Sequence, residues 1–329
     1  MRLLSRRYFF QSVRRFVVGC VVATLCAYIS FAEPAPIPPI PVVVTLPVLA
    51  DFVRQIGGDR VQVHSLISGI SDEHTYHPKP SDLLALQRAR LLVKVGLGLE
   101  VWLDGLLQNA GRADRVVVTA SDGIPLMRER QRAARGERRS GDDDADAGRG
   151  FKEQHTQGNV HVWLDPENAK TMARHIADGL IRVDPSHRKD YLRRQSDYLQ
   201  TLDRLTAEIK PKMAALTDRK IVTYHPAWPY FVRRFGLVVR GEIITQHDAE
   251  PSPKRLARLI DQMRKEKIRV IVSEPQLDGK VPQALAAETG ARVVVLSPQT
   301  GVIPGTSTYV DLIRHNARVL IAALEGTRP

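Results

Sequence analysis

Between Pro185 and Leu216 the apolar residues Tyr191, Tyr198, Leu202, Leu205 and Ile209 recur at three- and four-residue steps. That spacing predicts one long helix with a single buried stripe. On both sides of it, short β-branched runs alternate with helix-length amphipathic segments. A chain patterned this way is constrained to two α/β lobes, each a mostly parallel sheet flanked by helices, joined by one backbone helix. A length of 329 residues agrees, since a single core rarely grows that large.

The first lobe is expected to hold strands at Val42–Thr45, Val61–Ile67, Leu91–Val95 and Val116–Thr119. Helices are expected at Leu83–Ala89, Glu100–Asn109 and Pro166–Val183, the last with Met172, Ile176 and Leu180 on one face. The second lobe repeats the alternation from Ile221 to Leu324, with strands at Ile221–Tyr224, Leu237–Val239, Ile268–Ser273 and Val293–Leu296. The expected boundaries are an export signal at 1–32, a lobe at 33–184, the connecting helix at 185–217 and a lobe at 218–329. A charged insertion at 128–157 interrupts the first lobe. Arg128 to Glu153 carries 8 basic and 7 acidic residues, with Phe151 as the one large apolar side chain, which reads as a solvated segment.

Residues 2–15 hold five Arg and no acid, and Phe16 to Ala32 is uncharged and apolar or small. This pattern is expected of a secretory signal, with Ser30-Phe31-Ala32 offering a cleavage site, and it is too short to read as a spanning helix. Ser5-Arg6-Arg7-Tyr8-Phe9-Phe10 also fits a twin-arginine signal, so the export route is twin-arginine or general secretory. Removing the five Arg turns a net charge of +12 into +7, from 43 basic and 36 acidic residues. No basic run interleaves with aromatics, so nucleic acid is not an expected partner. Both cysteines, Cys20 and Cys26, fall inside the signal. The mature chain therefore has no disulfide, thiolate metal site or cysteine nucleophile, and a metal site in it must use His, Asp or Glu.

Three of the ten histidines lie in distinctive loops at strand ends or loop-to-helix junctions: Glu73-His74-Thr75-Tyr76-His77-Pro78, Asn159-Val160-His161-Val162-Trp163-Leu164-Asp165-Pro166 and Tyr224-His225-Pro226-Ala227-Trp228. Ligands of α/β sheets collect at the carboxyl ends of strands. Spacing alone leaves these residues open between a ligand set and ordinary loop side chains.

With Glu73-His74, Pro80-Ser81-Asp82, Gly96-Leu97-Gly98-Leu99-Glu100-Val101-Trp102, His161-Val162-Trp163-Leu164-Asp165-Pro166, Tyr224-His225 and Ser273-Glu274-Pro275-Gln276, the chain resembles the substrate-binding proteins of bacterial zinc or manganese ABC importers. The resemblance covers most of residues 42–324 and is closest to the zinc-binding members. It implies two α/β lobes on a rigid helix, metal ligands at His74, His161 and His225, and a periplasmic protein that hands its ion to an ABC importer permease and its ATPase. A monomer is expected. Where relatives often place an Asp, in a Leu-Asp-Pro sequence, this chain has Leu296-Ser297-Pro298. Glu73 or water is then the fourth ligand, and His77 is a weaker candidate. Three imidazoles favour Zn(II) as the transported ligand over Mn(II), which prefers carboxylate oxygen. Two alternatives stand beside this reading: a manganese-binding protein of the same family, and a secreted zinc-dependent hydrolase with Glu73 as general base.

Overall fold

Strand β1 (Ile40–Val44) opens a four-stranded sheet with β2 (Val61–Ser65), β3 (Leu91–Lys94) and β4 (Val116–Thr119). Helices α1 (Pro47–Gly57), α2 (Pro80–Arg88) and α3 (Leu103–Asn109) connect these strands, and α4 (Pro166–Val183) follows them. A short 3-10 turn at Pro185–His187 leads into α5 (Arg188–Ala214), the long connecting helix. The second sheet comprises β5 (Lys220–Thr223), β6 (Val238–Glu242), β7 (Val270–Ser273) and β8 (Arg292–Val295). Its helices are α6 (Pro229–Phe235), α7 (Pro253–Glu266), α8 (Lys280–Thr289) and α9 (Tyr309–Glu325). This computed structural model describes residues 38–68, 70–127, 158–244 and 251–326. The expected export signal and the whole charged insertion at 128–157 lie outside them, as do His155 and His247.

Both sheets are fully parallel and share one topology, β2-β1-β3-β4 and β6-β5-β7-β8. In each, the chain goes to one side of the first strand and then crosses to the other. The crevice between β1 and β3, and its counterpart between β5 and β7, are topological switch points, where open α/β sheets bind ligands.

The two lobes share most of one core. The α5 stripe Tyr191, Tyr198, Leu202, Leu205, Ile209 and Met213 is buried in a cluster that runs from Val42 through Trp163 to Trp228 and Leu320. Period-two alternation partitions the second sheet. Val270 and Val272 face that large core, while Ile271 packs with Val222, Leu259 and Met263 in a smaller one. Pro39–Pro329 accordingly forms one compact unit despite its two sheets.

Helix α4 is fastened at its start. Asp165 is fully buried and its Oδ1 accepts from the Glu167 amide at 2.9 Å, an N-cap. The same carboxylate accepts two bonds from Arg234 of α6, at 2.5 and 3.0 Å, with Arg233 at 3.6 Å. The carboxylate of Asp51 on α1 likewise accepts from the Tyr309 amide at 2.7 Å, at the start of α9. Burial pushes the Asp51 carboxyl up, and hydrogen bonds from Tyr309 and Gln55 oppose the shift. Each contact ties an element of the first lobe to one of the second.

The expected helix start at Glu100 is displaced to Leu103. Gly96, Leu97 and Gly98 all have positive φ, at 89°, 62° and 81°. This turn folds Glu100 back onto the sheet. Its carboxylate accepts from Thr45 Oγ1 at 2.8 Å and from the Val95 and Gly96 amides at 2.7 and 2.9 Å. Thr45 follows β1 and Val95 follows β3, so Glu100 closes the first lobe's switch point with its own chain. Glycine is required at 96 twice over: the φ favours it, and a Cβ there would lie 2.4 Å from Thr119 Cγ2.

Candidate metal centre

Three loops at the carboxyl ends of strands bring His74, His161 and His225 together. His74 lies between β2 and α2, His161 between β4 and α4, and His225 two residues beyond β5. One ligand atom from each lies within 4.8 Å of the other two. His74 Nε2 and His161 Nε2 are 3.2 Å apart. Two donors bound tetrahedrally to zinc at about 2.0–2.1 Å are separated by roughly 3.3 Å, so this pair already has the spacing of a shared ion. The ring centroids of His161 and His225 are 5.1 Å apart, those of His74 and His225 6.1 Å. His161 and His225 are buried and His74 is half-buried.

Each buried imidazole is held by a neighbour on its far nitrogen. His225 Nδ1 is 2.7 Å from Glu274 Oε1, which also accepts from Trp228 Nε1 at 3.0 Å. Gln276 Nε2 donates to the other Glu274 oxygen at 2.8 Å. A carboxylate there makes Nδ1 the protonated nitrogen and presents the Nε2 lone pair to an ion. Glu274 directly follows β7 and His225 follows β5, so this bond spans the second lobe's switch point. The two lobes thus use a buried carboxylate at the same topological place, one to close the sheet edge and one to aim a histidine. His161 Nδ1 lies 3.2 Å from Asn159 Oδ1, which also accepts from the His161 amide at 3.1 Å. Asn159 Nδ2 donates to Pro226 O at 2.6 Å, and its carbonyl accepts from Tyr230 Oη at 2.9 Å. The loops carrying His161 and His225 are therefore laced together by the chain's own hydrogen bonds.

Glu73 is 2 % exposed, and its Oε1 lies 3.8 Å from His161 Nε2 with no hydrogen-bond partner among the described residues. Burial pushes its carboxyl up, against the attraction of His74 and His225. It stands beside the imidazoles, though outside the set within 4.8 Å. A dication among them would supply the counter-charge this carboxylate lacks. His77 is exposed and not part of the set.

Ser297 spends its hydroxyl within its own loop. Oγ donates to Gln299 O at 2.8 Å and accepts from the Gln299 amide at 3.0 Å, while Asn316 brackets the Ser297 backbone. Among the remaining histidines, His175 bonds Ala120 O and His187 pairs with Asp184. Glu274 and Asn159 are site residues that the loop motifs alone do not mark. A usable signal existed for the first: an acid placed directly after four buried strand residues.

Burial draws the His225 pKa down, but the Glu274 charge and hydrogen bond outweigh it and the net shift is upward. Protons therefore compete for this nitrogen from a higher pH than at an ordinary histidine. Zinc affinity is expected to fall from about pH 8 to about pH 5, by roughly a log unit per pH unit for each imidazole that titrates. Competition titrations with a chromophoric chelator check this, and a flat profile would count against an imidazole site. Glu274→Gln keeps the shape but removes the charge that fixes His225. It is expected to weaken zinc binding about tenfold, the usual scale for a lost partner of a metal-binding histidine; isothermal titration calorimetry reads it.

Two α/β lobes on a connecting helix, with buried imidazoles converging where they meet, define a two-lobed metal-binding protein. Residues 42–323 match the family described as zinc-uptake complex component A, periplasmic (ZnuA), and the chain belongs to that family. A Treponema pallidum protein provisionally described as metal-binding is 31% identical over 285 residues, 84% of each chain. The high-affinity zinc uptake system protein ZnuA of Brucella abortus is 29% identical over 276 residues, covering 78% of this chain and 83% of its own. A crystal structure of ZnuA superposes with a TM-score of 0.74 at 29% identity, over 87% of this chain and 99% of that one.

Proposed function

We propose that this protein captures Zn²⁺ outside the cytoplasmic membrane and delivers it to an ABC-type importer. The observation that carries the reading is the convergence of three imidazoles, two of them buried, from both lobes of a chain in a zinc-uptake family. His74, His161 and His225 are the proposed ligands, with Glu73 the carboxylate beside the ligand nitrogen of His161, at 3.8 Å from Nε2. Borderline nitrogen donors suit zinc, and a single adjacent carboxylate offers little to the harder Mn²⁺. The proposed lobes are residues 33–184 and 218–329, joined by 185–217. Residues 1–32 are the proposed export signal, which would place the mature chain in the periplasm. The importer's permease and ATPase are the proposed partners.

Capture and release, rather than turnover, fits the way the site is braced. The Asn159, Trp163 and Asp165 contacts fix the His161 loop to the second lobe, so entry and exit of the ion fall to the half-exposed His74 side. Calorimetry on metal-free protein tests the reading. One Zn²⁺ per chain should bind tightly and Mn²⁺ distinctly more weakly, and equal affinity for the two would refute the zinc assignment.

A further inference from the structure

The loop after β8 carries a polar side chain that the fold leaves unused. Gln299 is 3 % exposed, and neither its carboxamide oxygen nor its nitrogen has a hydrogen-bond partner among the described residues. A buried amide with both groups unmatched is rare in a folded chain and calls for an explanation.

Its position in the fold supplies one. The carbonyl of the Pro298–Gln299 peptide accepts from Trp163 Nε1 at 2.8 Å, and the Trp163 ring centroid is 5.3 Å from that of His161. On the other side, the Leu296 amide donates to Ser273 O at 3.0 Å, which aligns this loop with the one that begins at Glu274 and holds His225. The loop that carries Gln299 is thus tied by its backbone to the supports of two proposed ligands, to Trp163 beside His161 and to the strand that leads into Glu274. Ser297 cannot reach toward an ion from the same loop, because its hydroxyl is closed onto Gln299's own backbone.

We propose that the Gln299 carboxamide hydrogen-bonds the occupant of the fourth coordination position of the bound zinc, a metal-bound water. This rests on the zinc reading above and deepens it. The amide oxygen accepts a hydrogen bond from the water, which polarises it and fixes its direction. The contribution is neutral, so the ion gains an ordered oxygen without gaining an anion. That keeps the site poor for hard ions, which depend on carboxylate oxygen, and makes Gln299 a determinant of zinc over manganese.

Gln299→Met matches the side-chain volume and removes both polar groups. It is expected to weaken zinc binding about tenfold while leaving the thermal stability of the metal-free protein equal or higher. Gln299→Glu is expected to raise manganese affinity and narrow the zinc-to-manganese ratio about tenfold. Cobalt-substituted protein adds a spectroscopic readout: the d–d bands should shift in both variants, because the ligand field at the fourth position changes. Unchanged zinc affinity in Gln299→Met, or an unchanged metal ratio in Gln299→Glu, would overturn the proposal. So would a loss of stability in the metal-free Met variant that matches its loss of affinity, which would mark a purely structural residue. His225→Ala run alongside separates the two levels. If it lowers zinc affinity by roughly a hundredfold while the Gln299 variants bind like the parent, this inference fails and the three-imidazole site stands. If His225→Ala also binds like the parent, the site itself is wrong.

Discussion

His225→Ala should lower zinc affinity by roughly a hundredfold. Four-donor structural zinc sites bind with roughly 10–16 kcal/mol, so one imidazole carries about 3 kcal/mol, and 1.36 kcal/mol is tenfold. The loss is expected to be that large because nothing nearby replaces the ring. Glu274 lies behind His225 and already accepts from Trp228 and Gln276. His225 is the one proposed ligand from the second lobe, so its removal also separates the ion from half of the fold. Metal-competition titration measures the change. His175→Ala is the matched control: that ring sits on α4 and bonds the Ala120 carbonyl, and its loss should leave zinc affinity within about twofold of the parent.

The second large effect is on stability. Asp165→Ala should cost the metal-free protein about 4 kcal/mol, read from the urea midpoint at constant slope. Breaking a buried ion pair by removing one partner costs about 3–5 kcal/mol, and losing an N-cap about 1 kcal/mol more. Arg234 keeps 25% of its side-chain surface in water, so the orphaned guanidinium is partly resolvated and the lower end applies. Arg234→Lys, with Asp165 in place, should retain little of the pair's contribution, since an ammonium cannot make the two parallel bonds that the guanidinium makes to Asp165. A change below about 0.5 kcal/mol in Asp165→Ala would mean that the lobes are not held together at this point.

Much of the fold could be read from residue spacing. The α5 stripe and the α4 face are buried as the periodicity predicts, because both helices press a single apolar side into the core. Boundaries were less legible where tertiary contacts decide them. Helix α2 begins at Pro80 rather than Leu83, since proline suits the first helical turn and Asp82 accepts from the Lys79 amide at 2.7 Å. Glu100 has the composition of a helix start, yet it is drawn into the sheet by a turn whose three positive φ values no periodicity reports.

The site divides in the same way. The motifs around His74, His161 and His225 marked these residues through a family resemblance, and the structure draws the three rings together. Their supports were harder to see. Whether Glu274 faces His225 depends on β7 lying next to β5, which is a property of strand order and not of local sequence. Asn159 is two residues from His161, but its second role, reaching Pro226, exists only once the lobes are assembled. Gln299 looks like an ordinary loop residue until its burial is known.

Zinc K-edge X-ray absorption on protein loaded with one equivalent of Zn²⁺ tests the central claim most directly. The expected spectrum is four-coordinate, with three imidazoles at about 2.0–2.1 Å, their outer-shell scattering resolved, and one oxygen. His225→Ala should reduce the imidazole count from three to two. A parent spectrum with fewer than three imidazoles, or a six-coordinate shell of oxygen donors, would contradict a zinc site built by His74, His161 and His225.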